Sequence, residues 1–142
     1  MSTPRALPPL YRDLRRLTLL TEQLVRGFAR YHKYTLGTEL RQQSMRAWRL
    51  AHRAHFDPAG QARWVENLVW AVDDFKLSLQ MAQELGAFRD FRQFEPVALL
   101  AVQIGKQCGG WHRQTRSRGP AASEDAPPPL GGAGQQQGTP AA

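Results

Sequence analysis

YTLGTELRQQSMRAWRLAHRAHF, residues Tyr34 to Phe56, is the stretch on which the reading of the whole chain turns. At roughly 100° per residue it sorts into two faces. Leu36, Leu40, Ala47, Leu50, Ala51 and Ala54 fall within about one third of the circumference, with Gln43 and Ser44 as the only polar members. Arg41, Arg49 and Arg53 point away, with Trp48 and His52 beside them. Thr35 stands where an N-cap belongs, and Glu39 puts a carboxylate near the positive end of the helix dipole. Small residues on the inward face let a partner helix come close. This helix packs on one side and carries charge on the other.

Working outward, His32 and Lys33 read as the turn into this helix, and before them a first helix is expected from about Leu10 to Tyr31. Leu10, Leu14, Leu17, Thr21, Leu24 and Phe28 step by three and four into one stripe, while Arg12, Arg15, Arg16, Arg26 and Arg30 collect opposite. Pro8 and Pro9 suit a helix start, where a missing N–H costs nothing. After Phe56, Asp57 caps and Pro58 takes the first position of a third helix, expected to reach about Leu85 and stop at Gly86. Its seam is Val65, Leu68, Val69, Val72, Phe75 and Leu79, and a second apolar strip of Trp70, Leu77 and Met81 lies well round the cylinder. Either the seam is simply broad, or the strip, with Met45 and Trp48 of the central helix, is a contact with another subunit. A fourth helix should begin near Asp90 to Gln93 and end around Trp111, with Pro96 kinking its early turns or marking a later start. Phe94, Val97, Leu100, Ala101, Ile104, Cys108 and Trp111 form its seam. Gly105, Gly109 and Gly110 weaken it by up to about 1 kcal/mol each relative to alanine, which suggests backbone approaching backbone beneath Trp111.

Four amphipathic helices with short connections specify an all-α, up-down-up-down four-helix bundle over residues 10–114. Residues 1–9 read as a flexible lead. Residues 115–142, rich in Pro, Gly, Ala, Ser and Gln, read as a disordered tail.

Nineteen Lys+Arg against twelve Asp+Glu give a net charge of +7. The excess is lopsided: residues 1–56 hold eleven basic side chains against three acids, a net +8, and residues 57–114 are close to neutral. A field with a direction suits a phosphate backbone or another acidic surface. Arg12, Arg15, Arg16, Arg26, Arg30, Lys33, Arg41, Arg46, Arg49 and Arg53 are therefore the candidate polyanion-binding set. Arginine bonds phosphate in bidentate fashion and stacks on bases, and Trp48 offers a further stacking face. No base-reading motif accompanies them, so binding should be largely sequence-independent and fall steeply with salt.

Catalytic constellations are absent. No phosphate-cradling glycine loop, HExxH or Glu-x-x-His pair occurs, and GKQCGGW fits no such spacing. His52 and His55 lack carboxylate or thiolate support for a metal. Asp73 and Asp74 diverge on a helix and read as solvated or paired with a neighbouring helix, and Lys76 as snorkelling beside the seam. The single cysteine, Cys108, excludes an internal disulfide and reads as a small buried apolar residue. No apolar run approaches the roughly 20 residues of a membrane span, and no secretory h-region opens the chain. A non-enzymatic, cytoplasmic protein without cofactor or metal is the simplest expectation.

Two motifs, Leu36-Gly37 opening a basic helix (within HKYTLGTELR) and the Ile104-Gly105…Gly109-Gly110-Trp111 ending, resemble the accessory variability determinant (Avd) family of diversity-generating retroelements over about residues 8–114. That resemblance implies a four-helix protomer in a homopentamer with a basic surface, partnered with a reverse transcriptase and its template RNA or cDNA. It implies no catalytic residues. The long tail and Pro96 depart from the family pattern. Bundle proteins encoded in ribosomal RNA intervening sequences share the architecture, and they imply the alternative: a scaffold for a protein partner that touches no nucleic acid.

Overall fold

A computed structural model of the chain describes residues 8–88 and 90–117. Regular structure among them is all helical: α1 (Pro9–Arg26), α2 (Arg30–Lys33), α3 (Leu36–Phe56), α4 (Gln61–Glu84) and α5 (Phe91–Ser117), with a 3-10 turn at Pro58–Gly60 leading into α4. The four long helices close a ring of neighbours, α1 touching α3 and α5, and α4 touching the same two from the other side. Each sends its apolar stripe to the centre, where Leu14, Leu17, Phe28, Leu40, Val65, Leu68, Phe75 and Ile104 are shut off from solvent. Burying each such side chain stabilises the fold by about 1.5–3 kcal/mol. Two hydroxyls share that interior without cost: Thr21 Oγ1 donates to the Leu17 carbonyl at 2.7 Å and Ser44 Oγ to the Arg41 carbonyl at 3.0 Å.

α1 and α3 run antiparallel, as the pairs Glu22–Arg41, Thr18–Ser44 and Tyr11–His52 show. Near the start of α3 they pack tightly at Gly37, where an added Cβ would stand 2.6 Å from Val25 Cγ1. Val25 is buried and β-branched, with little freedom to retreat. Gly37→Ala should therefore cost about 1–3 kcal/mol and lower the melting temperature by roughly 5–15 °C in a thermal scan. An unchanged melt would show the two helices able to part at no cost. The glycines near the end of α5 behave otherwise than expected. Among the described residues, a Cβ at Gly109 or Gly110 would meet only the Arg113 guanidinium, at 3.7 and 3.9 Å, and no backbone. At Gly105 the neighbour is the Lys76 side chain, with Nζ at 2.9 Å from the same construction.

Several expected boundaries move. The first helix stops at Arg26, because Ala29 turns extended (ψ 142°) and gives its N–H to the Ala87 carbonyl at 3.3 Å instead of to its own helix. His32 and Lys33 belong to α2 and not to a turn. Thr35 holds the N-cap position of α3, but its hydroxyl turns back to the His32 carbonyl at 3.3 Å and caps nothing. Gly86 ends α4 as expected, at φ 72°, a backbone conformation that side chains disfavour. α5 starts at Phe91 and runs through Pro96, which sits at an exposed position. It continues past Trp111 to Ser117, and Thr115, expected in the tail, is buried with its hydroxyl on the His112 carbonyl at 2.9 Å. Apart from Pro8, Pro9 and Thr115–Ser117, the expected lead and tail lie outside the described residues.

Asp57 holds the α3–α4 corner with both carboxylate oxygens. Oδ2 accepts from Trp64 Nε1 at 2.8 Å and Oδ1 from the Gly60 N–H at 3.3 Å. The indole bond first, then the backbone bond, hold its carboxyl below the usual carboxylate range. Because the folded value is the lower one, the stabilisation is present above the unfolded value of 3.8 and disappears as pH falls through the folded value. Asp57→Ala should accordingly melt a few degrees below the parent at pH 7, and the gap should close in acid. A gap independent of pH would remove the carboxylate from the account.

Candidate nucleic-acid interface

The arginine set lies on the outer surfaces of α1 to α3. Arg12, Arg15, Arg16, Arg26, Arg30, Arg41, Arg46, Arg49 and Arg53 are all exposed, and Lys33 is half-buried. They stand outside because the apolar stripe of each helix faces the core and leaves the intervening positions to solvent. Arg41 is neutralised by Glu22, Nε to Oε1 at 2.8 Å, so it is the weakest candidate of the ten. Arg53 leans toward α4, with its guanidinium carbon 5.5 Å from the centre of the Trp64 ring. For Arg12, Arg15, Arg16, Arg26, Arg30, Arg46 and Arg49, no carboxylate among the described residues comes within ion-pairing distance.

Between α1 and α3 the surface is hollowed. One groove of about 920 Å³ runs past Leu19, Glu22, Arg41, Met45, Arg46 and Arg49. A smaller hollow of about 350 Å³ continues it, lined by Tyr11, Trp48, Arg49, His52 and Arg53, and Arg49 borders both. Tyr11 donates to or accepts from His52 Nδ1 at 2.8 Å, and its ring centre stands 6.0 Å from that of Trp48. Tyr11 and His52 belong to this surface although the sequence did not single out Tyr11. The available signal was its place one position after Leu10, on the flank of α1 that an antiparallel neighbour must cover. A further hollow of about 680 Å³ at the end of the bundle, among Leu10, Ala51, His55 and Trp111, has no charged side chain in its lining.

The five residues expected at a subunit contact lie on two parts of the surface. Trp70, Leu77 and Met81 are 63%, 64% and 48% exposed on the outward side of α4. Met45 and Trp48 are partly buried at the α1–α3 groove, where Trp48 packs on the core and against Tyr11. Leu77 and Met81 face the start of α3 across a shallow depression with Thr35, Leu36 and Glu39.

The remaining polar residues of the described chain are engaged locally. Asp73 pairs with Lys76 of its own helix at 3.6 Å, not with an arginine of a neighbour. His55 meets Phe56 edge-on with ring centres 4.6 Å apart. No cluster of three His, Cys, Asp or Glu side chains among the described residues is placed to hold a metal ion. Burial pushes the Cys108 thiol up to about 12, with nearby Lys76 working weakly against it. Among the described residues no helix is long and apolar enough to cross a membrane. No family model matches this chain, and no curated protein matches it significantly.

Proposed function

We propose that this protein is a non-enzymatic, nucleic-acid-binding accessory subunit, and that its partner is the reverse transcriptase of a diversity-generating retroelement with its template RNA or cDNA. The observation that carries the binding role is the set of seven exposed arginines on α1, α2 and α3 with no carboxylate beside them among the described residues. Such guanidinium groups on neighbouring helices sum to a field that reaches about 10 Å at 0.1 M salt, and Arg46 and Arg49 place bidentate donors along the α1–α3 groove. The assignment to a retroelement rests on the Leu36-Gly37 and Ile104–Trp111 motifs. Alternating chain direction through all four helices, and assembly into a homopentamer, belong to the same reading.

The exposed Trp70, Leu77 and Met81 support a protein contact on α4, which suits either a second copy or the scaffold role of the intervening-sequence bundles. The two roles part on one experiment. Mobility shift of a mixed-sequence RNA over 50–300 mM salt should give affinity that falls steeply and linearly on logarithmic axes. Absence of binding at the lowest salt, with a protein partner retained after nuclease treatment, would favour the scaffold.

A further inference from the structure

We propose that the hollow between the N-terminal part of α1 and the C-terminal half of α3 is a stacking subsite for unpaired bases, so that the protein prefers single-stranded over duplex nucleic acid. The inference rests on the nucleic-acid reading above and narrows it to a class of strand. Four rings run along this edge in unbroken succession. Trp48 stands 6.0 Å from Tyr11, Tyr11 stands 5.8 Å from His52, and His52 stands 4.7 Å from Phe56. Their mutual tilts of 47°, 43° and 44° mean that the rings are not stacked face to face on one another. His52 and Phe56 are exposed, Phe56 by 62%, although a phenylalanine there adds nothing to the core. Trp48 Nε1 lies buried in the floor with no hydrogen-bond partner among the described residues.

Arg49 and Arg53 border the same hollow. Guanidinium groups and rings thus line one hollow, offering donors to phosphate and faces to bases, the combination that holds strands without sequence preference. A duplex offers its phosphates to the same arginines, but its base faces are already stacked on one another. Aromatic groups would then contribute nothing, and only charge would count.

The test is fluorescence anisotropy of a labelled unstructured RNA strand, and of a blunt duplex of equal length, on the full chain and its His52→Ala/Phe56→Ala double variant. Both positions are exposed, and circular dichroism confirms that the variant is folded. The single strand should lose about tenfold in affinity and the duplex less than twofold, with the salt slope unchanged for both. Equal losses on both, or none on either, overturn the stacking subsite while the broader binding role stands. Failure of the parent chain to bind either RNA at low salt overturns both. Photocrosslinking of a 4-thiouridine strand to the unaltered protein reads the same point independently. Adducts should map to peptides holding Tyr11 or Trp48–Phe56, and adducts confined to α4 or α5 would count against the site.

Discussion

Replacing Arg12, Arg16, Arg26 and Arg30 together with alanine should lower RNA affinity about a hundredfold at 0.1 M salt while leaving the melting temperature within a few degrees of the parent. All four are exposed and have no carboxylate beside them among the described residues, so their loss opens no cavity and strands no partner. Each phosphate of a single strand that is neutralised contributes about 0.7 to the slope of log affinity against log salt, and therefore about 0.7 of a decade between 1 M and 0.1 M. If three of the four touch phosphate, the loss at 0.1 M is about two decades and the slope falls by about 2. Contact by all four would raise both figures toward about 2.8. Exposed charges removed without structural role typically shift stability by no more than about 0.5 kcal/mol, which is why the melt serves as the control. Unchanged affinity and slope would remove the outer face of α1 and α2 from the interface.

Phe28→Ala carries the largest expected effect on the fold. The side chain is 1% exposed and meets Phe88 edge-on with ring centres 5.2 Å apart, tying the α1–α2 link to the α4–α5 connection. Truncation removes the transfer energy of the ring and leaves a cavity, about 3–5 kcal/mol, and the edge-to-face pair adds about 0.5–1.5. Set against a total stability of about 5–15 kcal/mol, that brings the domain near its limit. A drop of roughly 15–25 °C in melting temperature is expected. A drop under 5 °C would mean that the break in α1 collapses to fill the space.

Phe28 also marks how far the sequence could be read. Its apolar spacing from Leu24 placed it on the stripe of the first helix, and it is buried where that stripe leads. The helix nonetheless ends two residues earlier. Gly27 takes its C-cap position, a local stop signal, and beyond it the Ala29 N–H bonds the Ala87 carbonyl, a contact between segments far apart in the chain that apolar spacing does not announce. The seams of α3 and α4 were legible because burial repeats with the helical period: Leu40, Ala47, Leu50, Ala54 and then Val65, Leu68, Val72, Phe75 and Leu79 all sit inside. The end of α5 was not, since Thr115 looks like tail composition until packing covers it.

For the candidate interface, the arginines were legible as a class and their pairing was not. Arg41 meets Glu22 only because α1 and α3 run antiparallel in one particular register. That register also brings Tyr11 onto His52 and turns Trp48 inward, which separates Met45 and Trp48 from the strip on α4 that shares their apolar character. Helical periodicity tells which way a side chain points on its own helix. It does not tell what the neighbouring helix sets against it.

The sulfur of Cys108 sits 1% exposed with its proton held to about 12. Against an ordinary value of 9.0, this leaves about a thousandfold less thiolate at any neutral pH. Peroxide, alkylating reagents and mixed disulfides all require that anion. Copies of the chain crowded together under oxidising conditions will therefore stay unlinked through this position until α5 lifts away, so covalent dimers in a preparation are a signature of damage and not of assembly.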